Sequence, residues 1–391
     1  MEKKIGIGII GAGYASWLHL TAYEKVGKIP FEIRMISDVD RPRAEQMAAQ
    51  FGIPGVTTDY EELLRDPKID IIDIVTPPVL HGEMIEKAMK AGKHVICEKP
   101  LTGYFGGKED PAPIGLRVSK SHMLETVLKD MDQLRKVVEA GKGRFMYAEN
   151  FVYCPPMVMA AQMIEKRKSR ILFMKGEESL NGSSSVMAGR WDKTGGGSLV
   201  RVGCHPLTGM LWLKSVEAKA RGEKIEIVSV SADMSTVTPS LTEEEHRHIP
   251  IRPQDVEDIA SVSVGFSDGT KALVIATDVC LGGAKNYVEL YCNDANFVCN
   301  MTPADILQTY LPDERGLEGM ELGFGLSTKT GWNKPFAADD VIRGYIGEFQ
   351  DFLECVAEGR EPLSGFDLAY DAVKVMYAAY QSAEEGRKIY F

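Results

Sequence analysis

A glycine loop between an apolar run and a helical segment constrains this fold more than any other feature of the sequence. The run Lys4–Ile10 is typical of a buried parallel strand, and Gly11-Ala-Gly13-Tyr-Ala-Ser16 follows it directly. The spacing fits G-x-G-x-x-G with serine in the third position, where helix–strand packing needs only a small residue. The first two glycines let backbone N–H groups approach a pyrophosphate at a helix N-terminus. The loop therefore predicts a dinucleotide-binding unit, and a simple glycine turn is the alternative for the motif alone.

Strands and helices continue to alternate through the first 148 residues, which predicts βαβ units and a doubly wound parallel sheet. The strand-like segments are 33–37, 70–76, 94–97 and 145–148, and the helical segments are 14–26, 43–51, 83–91 and 123–140. A loop rich in glycine and proline, about 102–120, interrupts this pattern. Four later segments are rich in β-formers and lie between turn signals: 225–232, 260–266, 271–278 and 287–292. We therefore predict an α/β fold, with a nucleotide-binding domain over 1–148 and an α+β domain with a mixed or antiparallel sheet over 149–391.

The charge balance and the cysteines restrict the partners and the compartment. Asp and Glu number 56 against 45 Lys and Arg, so a net charge of -11 disfavours binding to nucleic acid or to an anionic membrane surface. No apolar run reaches the roughly 18–20 residues of a membrane span. Seven scattered cysteines without a C-x-x-C pair predict reduced thiols and a cytoplasmic location. His246 and His248 lie in a charged stretch without a cysteine partner, so we expect no metal site.

An acidic residue after the second strand bears on which dinucleotide is bound. Asp38 follows Ser16 by 22 positions, where a carboxylate accepts hydrogen bonds from ribose hydroxyls and repels a 2′-phosphate. NAD is therefore expected rather than NADP. Arg41 and Arg43 keep NADP open, and a solvated helix cap is the alternative role for Asp38.

Two further polar segments stand at predicted strand ends, where doubly wound sheets bind their ligands. The first is Thr76-Pro77-Pro78 with His81, and the second is Glu98-Lys99-Pro100. A lysine at the end of a buried strand is unusual, because lysines normally lie on solvated faces. The functional interpretation places both segments at the nicotinamide half of the cofactor. The alternative for Lys99 is a structural ion pair with Glu98.

Together these motifs resemble the Gfo/Idh/MocA family, which includes glucose–fructose oxidoreductase and inositol dehydrogenase. The resemblance covers nearly the whole chain and also includes Thr76–His81, Ala91–Leu101 and Glu348–Pro362. It implies an N-terminal Rossmann domain, a C-terminal domain with a large open sheet that often forms homodimers or homotetramers, and final helices (345–358 and 367–385) that pack back toward the first domain. It also implies that Lys99 reaches the substrate, with a peptide bond to Pro100 that is expected to be cis. The cofactor contacts implied are Gly11, Gly13, Tyr14, Ala15, Ser16, Asp38, Thr76, Pro77, His81, Glu98 and Lys99.

The second half of the family's site matches Gly196–Thr208, where His205 takes the position of the catalytic or substrate-orienting histidine. Arg201 stands where the family usually has aspartate, four residues before His205 and thus about one helical turn away. One interpretation is that Arg201 binds an anionic group of the substrate, and the alternative is an ion pair with Asp192 or Glu149. The substrate-binding residues expected by similarity are Asn150, Tyr153, Arg190, Trp191, Arg201 and His205.

The resemblance implies an NAD(P)-dependent oxidoreductase that acts on a secondary hydroxyl group of a sugar, glycoside or cyclitol. Lys99 and His205 form the expected acid/base pair, and either of them could be the base. Two alternatives remain. In the first, bound NAD is recycled while a transient 3-keto sugar undergoes bond cleavage. In the second, the protein is a non-catalytic dinucleotide-binding regulator.

Overall fold

The chain divides into two compact units in a computed structural model that describes residues 4–302, 307–320, 326, 328–336 and 338–391. Unit 1 comprises Met1–Gly103, Thr126–Asn150 and Tyr345–Val373. Unit 2 comprises Tyr104–Glu125, Phe151–Gly344 and Lys374–Phe391. This division differs from a single boundary after residue 148, because residues 104–125 join unit 2 and residues 345–373 join unit 1.

Unit 1 contains a six-stranded parallel sheet with the strand order β3-β2-β1-β4-β5-β6. Its strands are β1 Ile5–Ile10, β2 Phe31–Ser37, β3 Gly55–Thr57, β4 Ile71–Ile74, β5 His94–Glu98 and β6 Phe145–Ala148. The order reverses between β1 and β4, and ligands of doubly wound sheets bind at the carboxyl ends of the strands beside such a switch point. The predicted Rossmann-type parallel sheet is confirmed.

The helices of the described residues connect these strands and frame the second sheet. In chain order they are α1 Tyr14–Tyr23, α2 Arg41–Phe51, α3 Glu61–Arg65, α4 His81–Lys90, α5 Ile114–Arg117, α6 Lys120–Ala140, α7 Pro155–Arg167, α8 Trp191–Thr194, α9 Cys204–Arg221, α10 Asp339–Ile342, α11 Tyr345–Glu358 and α12 Phe366–Glu385. Asp40 caps α2 by accepting a hydrogen bond from the backbone N–H of Arg43, and Gly52 ends that helix with a φ of 66°. No helix within the described ranges combines the length and the apolar character of a membrane span.

Unit 2 contains a seven-stranded mixed sheet with the order β12-β11-β7-β10-β9-β8-β15, and β13 and β14 pair separately. Its strands are β7 Ile171–Ser179, β8 Ile227–Ser235, β9 Ile259–Phe266, β10 Lys271–Thr277, β11 Lys285–Cys292, β12 Asn296–Thr302, β13 Thr309–Leu311, β14 Gly331–Asn333 and β15 Ile389–Tyr390. Strands β7 and β10 run parallel, and the other neighbours of the seven-stranded sheet run antiparallel. The predicted mixed sheet is confirmed.

The two faces of this sheet have different surroundings. Side chains alternate along β9 and β10, so that Val262, Val264 and Val274 are buried while Ser261 and Lys271 are exposed. Helices α7 and α9 pack against the sheet. The pattern is that of a sheet with one covered and one open face.

Candidate functional site

The glycine loop of unit 1 joins β1 to an uncapped helix N-terminus. Gly11 has a φ of 108°, and a Cβ atom there would lie 2.6 Å from the carbonyl oxygen of Val75. Gly13 occupies the N-cap position of α1, and no side chain caps the helix there. A Cβ atom added at Gly13 would have no neighbouring atom within 4 Å. The Ser16 hydroxyl donates to the carbonyl oxygen of Gly11 at 2.8 Å. The loop therefore leaves open space where helix N–H groups can bind a pyrophosphate, which fits a dinucleotide.

Asp38 connects the glycine loop to the end of β2. Its two carboxylate oxygens accept hydrogen bonds from the backbone N–H groups of Ala12 and Asp40, both at 2.8 Å. Because Asp40 is the cap of α2, the alternative role of Asp38 as that cap is excluded. Its half-buried carboxylate lies beside the loop and retains acceptor capacity, which suits ribose hydroxyls.

The arginines that kept NADP open are each paired with an acid on the surface. Arg41 Nε lies 2.8 Å from Glu45 Oε1, and Arg43 Nη2 lies 3.0 Å from Asp40 Oδ2. Both guanidinium groups are more than half exposed, so these pairs contribute little to stability. Their positive charges are nevertheless balanced by neighbouring carboxylates.

The other predicted cofactor residues of β4 and α1 differ in exposure. Tyr14 is 62% exposed, and its ring stacks on Trp17 with centroids 6.0 Å apart. Ala15 is half-buried in the same helical turn. Pro77 is exposed, whereas Thr76 is half-buried and its hydroxyl approaches the sulfur of Met84 at 3.5 Å.

His81 ties two strand ends of unit 1 together. The buried ring places Nε2 2.9 Å from the carbonyl oxygen of Thr76, after β4. Its Nδ1 lies 3.1 Å from the carbonyl oxygen of Pro100 and 3.3 Å from that of Leu101, after β5. Burial lowers the pKa of the ring. The geometry makes His81 a link between these segments that fixes the edge of the sheet where the cofactor is expected.

Lys99 follows β5 at the same edge of the sheet. The Lys99–Pro100 bond is cis, as the resemblance implied. The Glu98 carboxylate accepts the backbone N–H of Lys99 at 2.8 Å through Oε2, and its Oε1 lies 3.1 Å from Nε2 of His19. Lys99 is half-buried, whereas Glu98 is buried. The Glu98 side chain therefore folds back and anchors the main chain at Lys99.

His19 is a functional candidate that the motifs did not indicate. It lies on α1 with no exposed surface, and its Nδ1 is 3.0 Å from Asp73 Oδ2 on β4. Burial opposes protonation of the ring, but the charges and hydrogen bonds of Asp73 and Glu98 outweigh burial and raise the pKa of His19 to about 10. An aspartate inside the apolar strand Ile71–Ile74 was the available signal, since such a carboxylate needs a buried partner.

In unit 2, a glycine loop precedes the helix that carries His205. A Cβ atom at Gly197 would lie 1.9 Å from the carbonyl oxygen of Glu257. The Glu257 carboxylate accepts the N–H groups of Gly197 at 2.9 Å and of Leu199 at 2.8 Å, and the hydroxyl of Tyr380 at 2.9 Å. Burial raises the pKa of Glu257 to about 7 although these hydrogen bonds oppose the rise. The loop leads into a π-helical turn at Leu199–Gly203, a conformation found often at functional sites.

His205 and Arg201 follow this loop but have different surroundings. The His205 ring stacks on Phe151 with centroids 5.0 Å apart and is 8% exposed. Arg201 Nη1 lies 2.6 Å from Oδ2 of Asp278, which follows β10 and has a side chain only 1% exposed. Burial raises the pKa of Asp278 and the Arg201 charge partly offsets this. An acidic partner for Arg201 was one expectation, and Asp278 is such a partner.

Asp192, which was predicted as a possible partner of Arg201, pairs with other cations. It binds Arg190 through two contacts of 3.0 and 2.9 Å, and Lys193 at 3.0 Å. The Arg190 side chain remains 43% exposed, so it stays a candidate for substrate contact.

Trp191 lies in the core of unit 2, and its contact with a substrate stays a prediction. It is 2% exposed, and its indole Nε1 donates to the carbonyl oxygen of Tyr104 at 3.0 Å. Asp255 accepts the N–H of Trp191 at 2.7 Å and the N–H of Gly115 at 3.0 Å. These bonds hold the part of the predicted loop that begins at Tyr104 and explain why residues 104–125 belong to unit 2.

The remaining predicted site residues lie in separate units. Asn150, in unit 1, is 5% exposed, and Tyr153, in unit 2, is 4% exposed. Lys99 belongs to unit 1 and His205 to unit 2, and their action as a pair stays a prediction.

Two family models match separate parts of the chain. Residues 5–106 match the model described as "Oxidoreductase family, NAD-binding Rossmann fold" of GFO_IDH_MocA. Residues 178–298 match the model described as "GFO/IDH/MocA C-terminal domain". Together these ranges cover more than half of the sequence.

Several proteins are similar to this chain over nearly its full length. A levoglucosan dehydrogenase of Pseudarthrobacter phenanthrenivorans is 26% identical over 97% of this chain and 96% of its own length. The crystal structure of GenD2 from gentamicin A biosynthesis, in complex with NAD, has a TM-score of 0.78 at 21% identity and covers 100% of this chain and 97% of its own. A myo-inositol 2-dehydrogenase from Lactobacillus plantarum has a TM-score of 0.73 at 20% identity and covers 100% of both chains.

Proposed function

Because the chain belongs to the Gfo/Idh/MocA family of NAD-binding oxidoreductases, we propose that it oxidises a secondary hydroxyl group of a sugar, glycoside or cyclitol. Family membership makes it an oxidoreductase that acts on CH–OH groups with NAD as the cofactor. The observation that carries the proposal lies in unit 1. There, the open glycine loop after β1 and Lys99 after β5 both stand at the carboxyl edge of one parallel sheet.

The reaction requires that a proton leave the hydroxyl group while the carbon is oxidised. When bound, NAD supplies the nicotinamide ring that accepts a hydride from this carbon. Lys99 then hydrogen-bonds to the reacting oxygen and stabilises its developing negative charge, and His205 takes the hydroxyl proton. Exchange of these two roles is the alternative.

The charge of Arg201 bears on the class of substrate. A free guanidinium would favour a carboxylate or phosphate on the sugar, but this one forms an ion pair with the buried Asp278 at 2.6 Å. We therefore favour a neutral sugar or cyclitol over a uronate or sugar phosphate. The similarity to a levoglucosan dehydrogenase over nearly the full length supports this class.

Two further features of the proposal concern the cofactor form and the assembly. Asp38 beside the glycine loop favours NAD over NADP, since a 2′-phosphate near this carboxylate would be repelled. The open face of the seven-stranded sheet is the proposed contact in a homodimer or homotetramer.

The experiment that tests the function follows NADH absorbance while NAD and a panel of neutral and acidic sugars and cyclitols are added. We expect steady NADH formation over many turnovers with a neutral compound. Lys99→Met and His205→Asn should each lower kcat by at least about a hundredfold, the scale of one acid/base group. Matched controls replace exposed residues of the same type, Lys90→Met and His248→Asn, and should retain the activity.

Two results would contradict the proposal. A change of one equivalent of cofactor with accumulation of a cleaved product would establish the recycling reaction instead. Tight NAD binding without oxidation of any compound in the panel would favour a regulator.

A further inference from the structure

A buried cluster of charged groups stands directly behind Lys99 in unit 1. At its centre, the His19 ring contacts two carboxylates through its two nitrogens, Asp73 at 3.0 Å and Glu98 at 3.1 Å. The ring packs edge-on against Phe349 with centroids 4.6 Å apart, and its relative exposure is 0%. The imidazole is shielded from bulk solvent and the Glu98 side chain is only 11% exposed, so the charges interact strongly.

Further titratable groups around His19 come from two elements, α1 and α11. From α1, the Tyr23 hydroxyl donates to Asp73 Oδ2 at 3.2 Å. From α11, Glu348 is fully buried with no hydrogen-bond partner among the described residues, and the Tyr345 ring lies 6.4 Å from the imidazole. Burial, with the neighbouring acids, raises the pKa of Glu348 well above its usual range although the His19 charge opposes the rise. This direction favours the neutral form of Glu348, and His19 is then the group whose positive charge faces Asp73 and Glu98.

The hydrogen bonds of the cluster lead to Lys99 in a fixed order. Asp73 contacts Nδ1 of the His19 ring, and Glu98 Oε1 contacts Nε2 of the same ring. The second oxygen of Glu98, Oε2, accepts the Lys99 N–H at 2.8 Å. An imidazolium donates from both nitrogens, whereas a neutral ring could donate to only one of the two carboxylates. The ring pKa of about 10 agrees with this geometry.

We propose that His19 is a positioning residue for Lys99. The His19 imidazolium fixes the Glu98 carboxylate, which anchors the Lys99 backbone, and its charge sets the protonation of the Lys99 amine. This role rests on the proposed part of Lys99 in the oxidation. A cation behind Glu98 weakens the pull of that carboxylate on the Lys99 ammonium group. The cluster thereby keeps the amine easier to deprotonate than Glu98 alone would allow.

The test measures the Lys99 amine itself, without substrate or cofactor. Competitive acetylation with acetic anhydride over a range of pH, followed by peptide mass spectrometry, gives the apparent pKa of each lysine in the folded chain. His19→Gln removes a positive charge and should raise the apparent pKa of the Lys99 amine by about one. Glu98→Gln removes a negative charge and should lower it by a similar amount. Shifts of opposite sign are a signature that loss of packing cannot produce.

A control keeps every charge and perturbs the packing. Phe349→Leu removes the ring that contacts His19, so it should lower stability and leave the Lys99 titration in place. His19→Asn and His19→Gln should each keep one of the two contacts of His19. The shorter Asn amide reaches Asp73, and the longer Gln amide reaches Glu98. With a sugar that the wild-type protein oxidises as substrate, we expect kcat to fall about tenfold or more in the Asn variant and less in the Gln variant. The KM for NAD should stay unchanged in both.

An unchanged Lys99 titration in a folded His19 or Glu98 variant overturns the inference, and so does a shift of the same sign in both. Each of these variants decides alone if the other fails to fold. Failure of the proposed function is a separate result: the wild-type protein would then oxidise no compound in the panel, while the acetylation experiment would still report on the cluster.

Discussion

Replacement by alanine should have different effects at two glycines of the same loop. At Gly11 it should lower the stability of the fold, and at Gly13 it should weaken cofactor binding. Gly13 has a φ of -89° and a ψ of -168°, which any residue adopts, and its Cβ position is open. Gly11 has a φ of 108°, and its Cβ position lies 2.6 Å from the Val75 carbonyl oxygen. The pair therefore separates the turn that the fold needs from the space that a pyrophosphate needs.

The magnitudes follow from these two environments. For Gly11→Ala, a positive φ costs about 1–2 kcal/mol and the overlap with Val75 costs about 1–3 kcal/mol more. The stiffer unfolded chain returns about 0.4–1 kcal/mol, so the net loss is about 1–5 kcal/mol. For Gly13→Ala, the same gain offsets a weaker N-cap, and the free energy of unfolding should change by less than about 0.5 kcal/mol. Its methyl group lies where the pyrophosphate would bind, and we expect at least about tenfold weaker NAD binding, or 1.4 kcal/mol.

Urea unfolding followed by circular dichroism gives the stabilities, and titration of NADH fluorescence gives the dissociation constants. If Gly13→Ala binds NADH as tightly as the wild type, the pyrophosphate does not lie on this loop. If Gly11→Ala is as stable as the wild type, the turn does not depend on glycine and the steric argument is wrong.

Two further predictions concern buried charges of unit 2. Arg201→Met leaves the Asp278 carboxylate, whose side chain is 1% exposed, without its cation, and should lower the free energy of unfolding measured in urea by about 3–5 kcal/mol. The double variant that also carries Asp278→Asn should regain most of this stability. An Arg201→Met variant as stable as the wild type would contradict the pairing. Glu257 has a folded pKa of about 7 against about 4.5 unfolded, so the folded state binds more protons in this range and stability falls as pH rises from 4.5 through 7, by up to about 3 kcal/mol. The stability of the wild type relative to Glu257→Gln should therefore decrease over this window, and a constant difference would show that Glu257 is ionised throughout.

Much of unit 1 could be predicted because its strands and helices differ sharply in local pattern. Five of its six strands are short runs that contain Ile or Val, and glycines follow two of the helices, with φ values of 66° at Gly52 and 76° at Gly92. Such signals are local, so they survive without knowledge of tertiary contacts. The predicted segment 345–358 matches α11, but its inclusion in unit 1 depends on packing that periodicity does not describe.

Strand β7 shows why other elements were missed. Its sequence ends in Lys-Gly-Glu-Glu-Ser, with Gly176 before two successive acids, and neither alternation nor β-propensity indicates a strand. It is a central strand because β10 and β11 pair with it on both sides. Gly176 is required there for a tertiary reason, since a Cβ atom would lie 2.9 Å from the side chain of Pro206. Long-range pairing decides this element, and a single sequence does not display it.

Local patterns identified the chemistry of side chains but not their partners, and the partner decides what a charged group can do. Arg201 alone suggested an anionic substrate, and Asp278, 77 positions away, redirects that expectation to a neutral one. His19 lies 54 and 79 positions from the two carboxylates that hold it as a cation, so no local motif could reveal it. Burial makes each of these pairings costly to leave incomplete, because an unpaired ion in the interior loses its hydration without compensation. Functional residues that act through buried partners are therefore the ones that a motif search is expected to miss, and unmatched acids inside apolar strands, as at Asp73, are the signal that can recover them.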